Sequence, residues 1–448
     1  MVNRAVLFDQ MNGVLGGSPA ADSARRRATA HPNSWAIALL PIAPVLILTL
    51  SVLLPPEFRI TIAGQTFYSY RLACFALLPW VMVRMLRGGY RFAWPDALVF
   101  AGCGWMTISL VSFYGFERGF PSGVAFALDG LLAYLIARVS FRNVTDFRRF
   151  LIVVAPVALI FAVLLAAEAI THTPFIRSLA RSIFSPLSAA ELGLARDMEL
   201  FSDTRFGMLR ATGPFAHPIL AGVFFSSLIA LYLGASLRSW PLIAGLAAGL
   251  LSVFSLSSAA LLSLILIAVL FGYDRLQRRV PILNWKLFGI VSAVLLALVQ
   301  VAAQNGIISI LIRFTLNPQT GYYRLLIWEY ASQSVAKYPL IGIGFTPYER
   351  LPWMDESIDA FWLSLAVRHG LITPIFLLIA AVLILVMLSR AAGKAADNGR
   401  QVYIALAVAI FVMGLVGFTV SFFGAIATWF FLILGMGTSL ALAGRQPV

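Results

Sequence analysis

The run Phe150-Leu-Ile-Val-Val-Ala-Pro-Val-Ala-Leu-Ile-Phe-Ala-Val-Leu-Leu-Ala-Ala-Glu168-Ala-Ile170 carries one charged residue, near its end. A helix needs roughly 20 apolar residues to cross the hydrocarbon core of a bilayer, and this run supplies them. The rest of the chain repeats the pattern. Hydrophobic residues make up 60% and charged residues 12% of the 448 positions, about half the charge of a soluble domain. The mean hydropathy is +0.89. Applied along the chain, the length rule predicts spans near 35–54, 68–86, 95–114, 121–139, 149–170 and 214–236. Six more are expected near 239–255, 257–273, 285–303, 371–390, 402–422 and 424–443. The expected fold class is therefore an all-α polytopic membrane protein of about 12 transmembrane helices.

The formal charge of +14 reads as topology rather than as a nucleic-acid footprint. With the N-terminus inside, the inner loops hold Arg84, Arg87 and Arg91, then Arg142, Arg148 and Arg149, then Arg238. Later inner loops hold Arg275, Arg278, Arg279 and Lys286, and then Arg390, Lys394 and Arg400. The short outer loops hold only Arg59 and Arg118. This is the positive-inside distribution, with both termini cytoplasmic. Residues 1–33 read as a polar cytoplasmic leader to the first span, which is longer than a signal-peptide core and lacks a small-residue cleavage site. The organisation expected is then this leader, spans one to nine over 34–303 with an outer loop at 171–213, a large outer loop at 304–370, and spans ten to twelve with a short tail over 371–448. Cys74 and Cys103 both fall in apolar runs, so neither a disulfide framework nor a Cys/His zinc pattern is expected.

Two outer loops hold basic residues against the orientation signal. The first contains Arg177, Arg181, Arg196, Arg205 and Arg210; the second contains Arg313, Arg324, Lys337, Arg350 and Arg368. An anionic ligand is the simplest reason for them. Gly321–Lys337 and Asp359–Arg368 have helical spacing. Arg210-Ala-Thr-Gly213-Pro-Phe-Ala-His217-Pro218 opens a span, where helix N-terminal N–H groups favour anions; an arginine snorkelling to lipid headgroups is the competing reading. His217 is either a packing residue or a functional one. Asp129, a carboxylate inside the fourth span, is either functional or bonded to a neighbouring helix. Gly342 and Gly344 lack the strand and Lys-Ser/Thr of a phosphate loop and read as loop formers. Tyr322, Tyr323, Trp328 and Trp353 are candidates for stacking on sugars, although interfacial aromatics are expected in any case.

Taken in order, Arg210-Ala-x-Gly-x-Phe-x-His217-Pro, Tyr323-Arg324-x-x-x-Trp328, Pro339-Leu-x-Gly342-x-Gly344, and Ile358-Asp359-x-x-Trp362-Leu followed by Gly370-Leu-Ile resemble the O-antigen polymerase/ligase superfamily over roughly 150–443. That resemblance implies a GT-C-like bundle with a large periplasmic loop. It also implies transfer of a glycan from undecaprenyl diphosphate to an acceptor hydroxyl at the bacterial inner membrane, without metal or other cofactor. It assigns Arg210 and Arg324 to the diphosphate, which guanidinium can hold bidentately. Asp359 is assigned to the acceptor hydroxyl as base or orienter, with a helix N-cap as its competing role. His217, Arg205, Arg313, Lys337 and Tyr323 complete the expected substrate site. Lipopolysaccharide-core ligases usually carry His-Asn where this chain has Asp359-Ala360, which tilts the expectation toward polymerase. Ser255-Leu-Ser257-Ser258 stands where many relatives have Ser-Arg. The expected partners are the lipid-linked oligosaccharide as donor and acceptor, membrane lipids and, left open, a chain-length regulator; no nucleic acid is expected. A ligase to another acceptor and a 12-span lipid or polysaccharide transporter are the alternatives.

Overall fold

The computed structural model describes residues 39–62, 65–184, 204–280, 282–302, 316 and 318–444. Fifteen helices and two small hairpins form it. Helix α1 (Ala43–Val52) leads into a hairpin of β1 (Arg59–Ile62) and β2 (Gln65–Tyr68), paired antiparallel from Arg59–Tyr68 to Ile62–Gln65. Then come α2 (Ser69–Arg84), α3 (Trp94–Tyr114), α4 (Phe116–Ser140), α5 (Val144–Thr171) and the short α6 (Phe175–Ile183). The second hairpin, β3 (Thr204–Arg205) and β4 (Met208–Leu209), precedes α7 (Pro218–Gly234). Helix α8 (Trp240–Leu250) continues as a 3-10 turn to Ser255 and is followed by α9 (Ser258–Arg279) and α10 (Trp285–Ala302). The chain ends with α11 (Pro318–Lys337), α12 (Phe361–His369), α13 (Ile372–Lys394), α14 (Asp397–Val416) and α15 (Ala425–Ala443).

Eight of these helices are long and apolar enough to cross a membrane, and four shorter apolar ones (α1, α7, α8 with its 3-10 turn, and α10) occupy the remaining expected spans. Boundaries shift where local chemistry decides them. Helix α5 starts at Val144 because Asn143 Oδ1 accepts the Asp146 N–H (2.9 Å) while Asp146 Oδ2 accepts the Arg142 N–H (3.1 Å). These are reciprocal caps at a helix start. Helix α7 starts four residues later than hydropathy suggests, because Pro218 takes the first helical position and His217 caps it.

Helices α3, α4, α13 and α15 pack together, and α7 packs against α8, α9 and α14. Buried polar pairs tie neighbours where lipid offers no partner. Arg138 of α4 donates to Asp96 of α3 (2.8 and 3.0 Å), which also accepts from Tyr134 (2.6 Å). Asp129 accepts two bonds from Arg71 of α2 (2.8 and 2.6 Å). Of its two readings, the structure thus gives Asp129 the helix-to-helix bond.

Helices α11 and α12 lie across one end of the bundle. Trp328 Nε1 donates to the Phe418 carbonyl (3.1 Å) and Trp362 Nε1 to the Gly414 carbonyl (2.7 Å). Trp105 Nε1 donates to the Leu340 carbonyl (2.9 Å). Gly370 has φ +76°, and a Cβ there would lie 1.9 Å from the Leu340 carbonyl oxygen; only glycine lets the 339–344 loop close on the end of α12. Gly342 and Gly344 are held in that same loop, with the Gly344 N–H donated to the Arg368 carbonyl (3.1 Å).

Candidate functional site

The loop Arg210–His217 is built by a carboxylate beneath it. Glu168, one turn from the end of α5 and 1% exposed, accepts the Thr212 N–H (2.9 Å) and the Thr212 hydroxyl (3.1 Å) on Oε1. On Oε2 it accepts the Gly213 N–H (3.2 Å). Gly213 takes φ +54° to turn the chain toward α7. Nearby, fully buried Arg177 donates twice to Glu57 Oε1 (2.8 and 2.6 Å) and once to the Ala216 carbonyl (3.4 Å). The strand residue Arg205 donates to the Leu256 carbonyl (3.1 Å).

On this scaffold five of the expected site residues face one another. Arg324, on the second turn of α11, is 6% exposed, and its Nε meets no hydrogen-bond partner among the described residues. Burial pushes its guanidinium below the usual pKa; Asp359 opposes that shift and Arg210 adds to it. It stays charged, because an arginine is not deprotonated at physiological pH. His217 lies just ahead of α7, with Nδ1 accepting the Ile219 N–H (3.1 Å), so its proton sits on Nε2. Burial, and then the positive fields of Arg210, Arg324 and Arg205, push this imidazole down to about 3. At neutral pH it is an uncharged donor inside a cationic cluster.

Asp359 is half-buried and precedes α12. It is not the helix cap: Ala360 holds that position, and the first free N–H of α12, that of Phe361, goes to the Gly417 and Val420 carbonyls (2.8 and 3.0 Å). Among the described residues the Asp359 carboxylate accepts no hydrogen bond, which leaves both oxygens available beside Arg324. Tyr323 stands on the same rim, its phenolic oxygen accepting the Asp355 N–H (2.6 Å) and its ring against Trp353. Burial raises the Tyr323 phenol; the Asp355 N–H opposes this, and the Asp355 and Asp359 carboxylates add to it.

Not every basic residue belongs here. Lys337, expected to bind substrate, sits at the far end of α11 and is paired with Glu349 at the surface. At about 1.5 Å per residue it is roughly 20 Å from Arg324. Arg177 and Arg181 are paired with Glu57, and Arg350 with Glu356. Their role is internal pairing, not the anion binding expected of the loops. Arg313 lies outside the described residues. Trp328, a candidate for sugar stacking, uses its N–H to fasten α11, whereas Tyr322 and Trp353 are exposed at 63% and 60%. Among the described residues no three His, Cys, Asp or Glu side chains gather as a metal site. Glu168 escaped the sequence reading; its signal was a carboxylate at the end of an otherwise uncharged span.

Residues 242–378 match the family model described as O-antigen ligase. Over this segment the chain is similar to that family, which supports the resemblance to the O-antigen polymerase/ligase superfamily. The matched segment runs from α8 into α13 and contains Arg324 and Asp359, while Arg205, Arg210 and His217 join it from the preceding loop. Curated proteins show no match. The superfamily goes with a membrane-bound enzyme of the ligase or polymerase type, and does not favour the transporter alternative.

Glu168 is a positioning residue for this loop. Replacing it strands two N–H groups and a hydroxyl, each worth about 1–3 kcal/mol when buried. Glu168→Ala is expected to lower glycan transfer and to reduce the melting temperature. Glu168→Gln, which keeps one acceptor oxygen, is expected to recover part of both. Equal activity in all three proteins would remove Glu168 from this role.

Proposed function

We propose that the protein polymerises undecaprenyl-diphosphate-linked oligosaccharide units into an exopolysaccharide, capsule or O-antigen at the periplasmic face of the inner membrane. The observation that carries this reading is the convergence of Arg210, Arg324 and Asp359, two cations and one available carboxylate, from three separate segments. The arginines hold the diphosphate of the donor. The acceptor hydroxyl gives its proton to Asp359 and attacks the anomeric carbon. The bond from that carbon to the diphosphate oxygen breaks, and its electron pair leaves with undecaprenyl diphosphate. Charge on this leaving group grows during the step, so fixed guanidinium groups stabilise the transition state more than the ground state. His217 Nε2–H can donate to the same anion without adding charge. No metal takes part in this scheme.

A second reading, ligation of the finished glycan to a different acceptor, is equally compatible with the family match. The two readings part in cells deleted for the gene. Absence of the polymerase leaves single lipid-linked repeat units, whereas absence of the ligase leaves long glycan that never reaches its acceptor. Restoring the wild-type gene is expected to convert single units into a ladder on a gel. Accumulated long polymer in the deletion strain would contradict polymerisation and support ligation.

A further inference from the structure

Arg368 lies at the opposite end of α12 from Asp359, about 13 Å away along a nine-residue helix. Its guanidinium forms no ion pair or hydrogen bond with any described residue. It rests over the ring of Phe345, 5.4 Å from the centroid. Burial lowers its pKa, while Tyr114 favours the charged form. The Tyr114 phenolic oxygen accepts the Phe345 N–H (2.7 Å), and its own O–H meets no acceptor among the described residues. This corner therefore offers six polar hydrogens, five from guanidinium and one from phenol, and no carboxylate. The negative end of α12 supplies only a partial charge in return. Beside it stands an aromatic floor: Phe345 packs on Phe126 (5.2 Å) and on Tyr114 (6.3 Å), and Phe345 and Phe126 are each 43% exposed.

We propose that Arg368, Tyr114 and the exposed parts of the Phe345 and Phe126 rings form a binding subsite for an acidic sugar, a saccharide ring bearing a carboxylate. The guanidinium and phenol take the carboxylate, and a planar fork suits its two oxygens. The rings cover the apolar face of the sugar. A phospholipid headgroup would match the charge but not the aromatic floor. That the anion is carried by a glycan rests on the transfer reading; the distance along α12 then places this sugar a short oligosaccharide length from Asp359.

The test uses the full-length protein in phosphatidylcholine nanodiscs and saturation-transfer difference NMR. The probes are glucuronate, glucose and glycerol 3-phosphate. The readout is the ratio of glucuronate to glucose binding within one sample, which does not depend on the amount folded. Wild type is expected to prefer glucuronate by about tenfold or more, the value of one charged hydrogen-bonded contact. Arg368→Gln is expected to bring the ratio near one, and Phe345→Leu to weaken both sugars while keeping the preference. A wild-type ratio near one, a preference that survives Arg368→Gln, or tighter binding of glycerol 3-phosphate than of glucuronate would each overturn the subsite. Glycan lengthening by Arg324→Ala is followed in parallel. Lost lengthening with a ratio near one fails the subsite alone. Intact lengthening with a high ratio fails the transfer reading and leaves the subsite standing.

Discussion

Arg324→Ala is expected to lower glycan transfer by about 10²–10³-fold, the usual cost of removing one preorganised group from developing negative charge. The same change should leave the fold as stable or make it more so. Arg324 is a buried cation whose Nε meets no hydrogen-bond partner among the described residues, and an unsatisfied buried polar group costs about 1–3 kcal/mol. A melting temperature that holds or rises while transfer collapses is the pattern of a group kept for function against stability. Arg324→Lys retains the charge but not the planar fork, so it should recover only part of the rate. Transfer assays and thermal unfolding on the same preparations check both halves. Loss of transfer together with a large loss of stability would instead make Arg324 a structural residue.

Asp359→Asn is expected to cost about 10²–10⁴-fold in kcat, the range for loss of a general base. Its effect on donor binding should be opposite in kind to that of Arg324→Ala. Asp359 is the carboxylate that opposes the burial of Arg324. Without it the cationic cluster is more positive, and the diphosphate donor should bind as well or more tightly. The expected signature is a fall in kcat with KM for the donor unchanged or lowered. A raised KM with unchanged kcat would mean that Asp359 orients substrate without moving its proton.

The bundle was legible in the sequence because a membrane span must satisfy its backbone within itself and show an apolar face to lipid. That requirement writes itself as long uncharged runs, and Phe150–Ile170 is one. The helix over 321–337 and the body of α12 were readable from their spacing, although α12 starts at Phe361 and leaves Asp359 outside it. Gly342 and Gly344 were readable as loop formers from the missing phosphate-loop context. Pairing was not readable. Lys337 and Arg324 look alike in one dimension, yet Glu349 folds back onto the first and no carboxylate forms an ion pair with the second among the described residues. Arg177 looked like a free outer-loop cation, and its partner Glu57 comes from the far side of four helices in sequence. Charge separates from function only when the fold decides which opposite charges meet. Glu168 shows the same limit: its work is to accept two backbone N–H groups, and backbone donors leave no trace in a side-chain pattern.

The most direct test of the central claim is a reaction with purified protein in nanodiscs and an undecaprenyl-diphosphate-linked oligosaccharide as the sole substrate. Released undecaprenyl diphosphate and glycan length are measured together. Wild type is expected to release one lipid diphosphate for each unit added, and Arg324→Ala and Asp359→Asn to do neither at a comparable rate. Lipid diphosphate release without glycan lengthening or transfer, or full activity in Arg324→Ala, would contradict the claim.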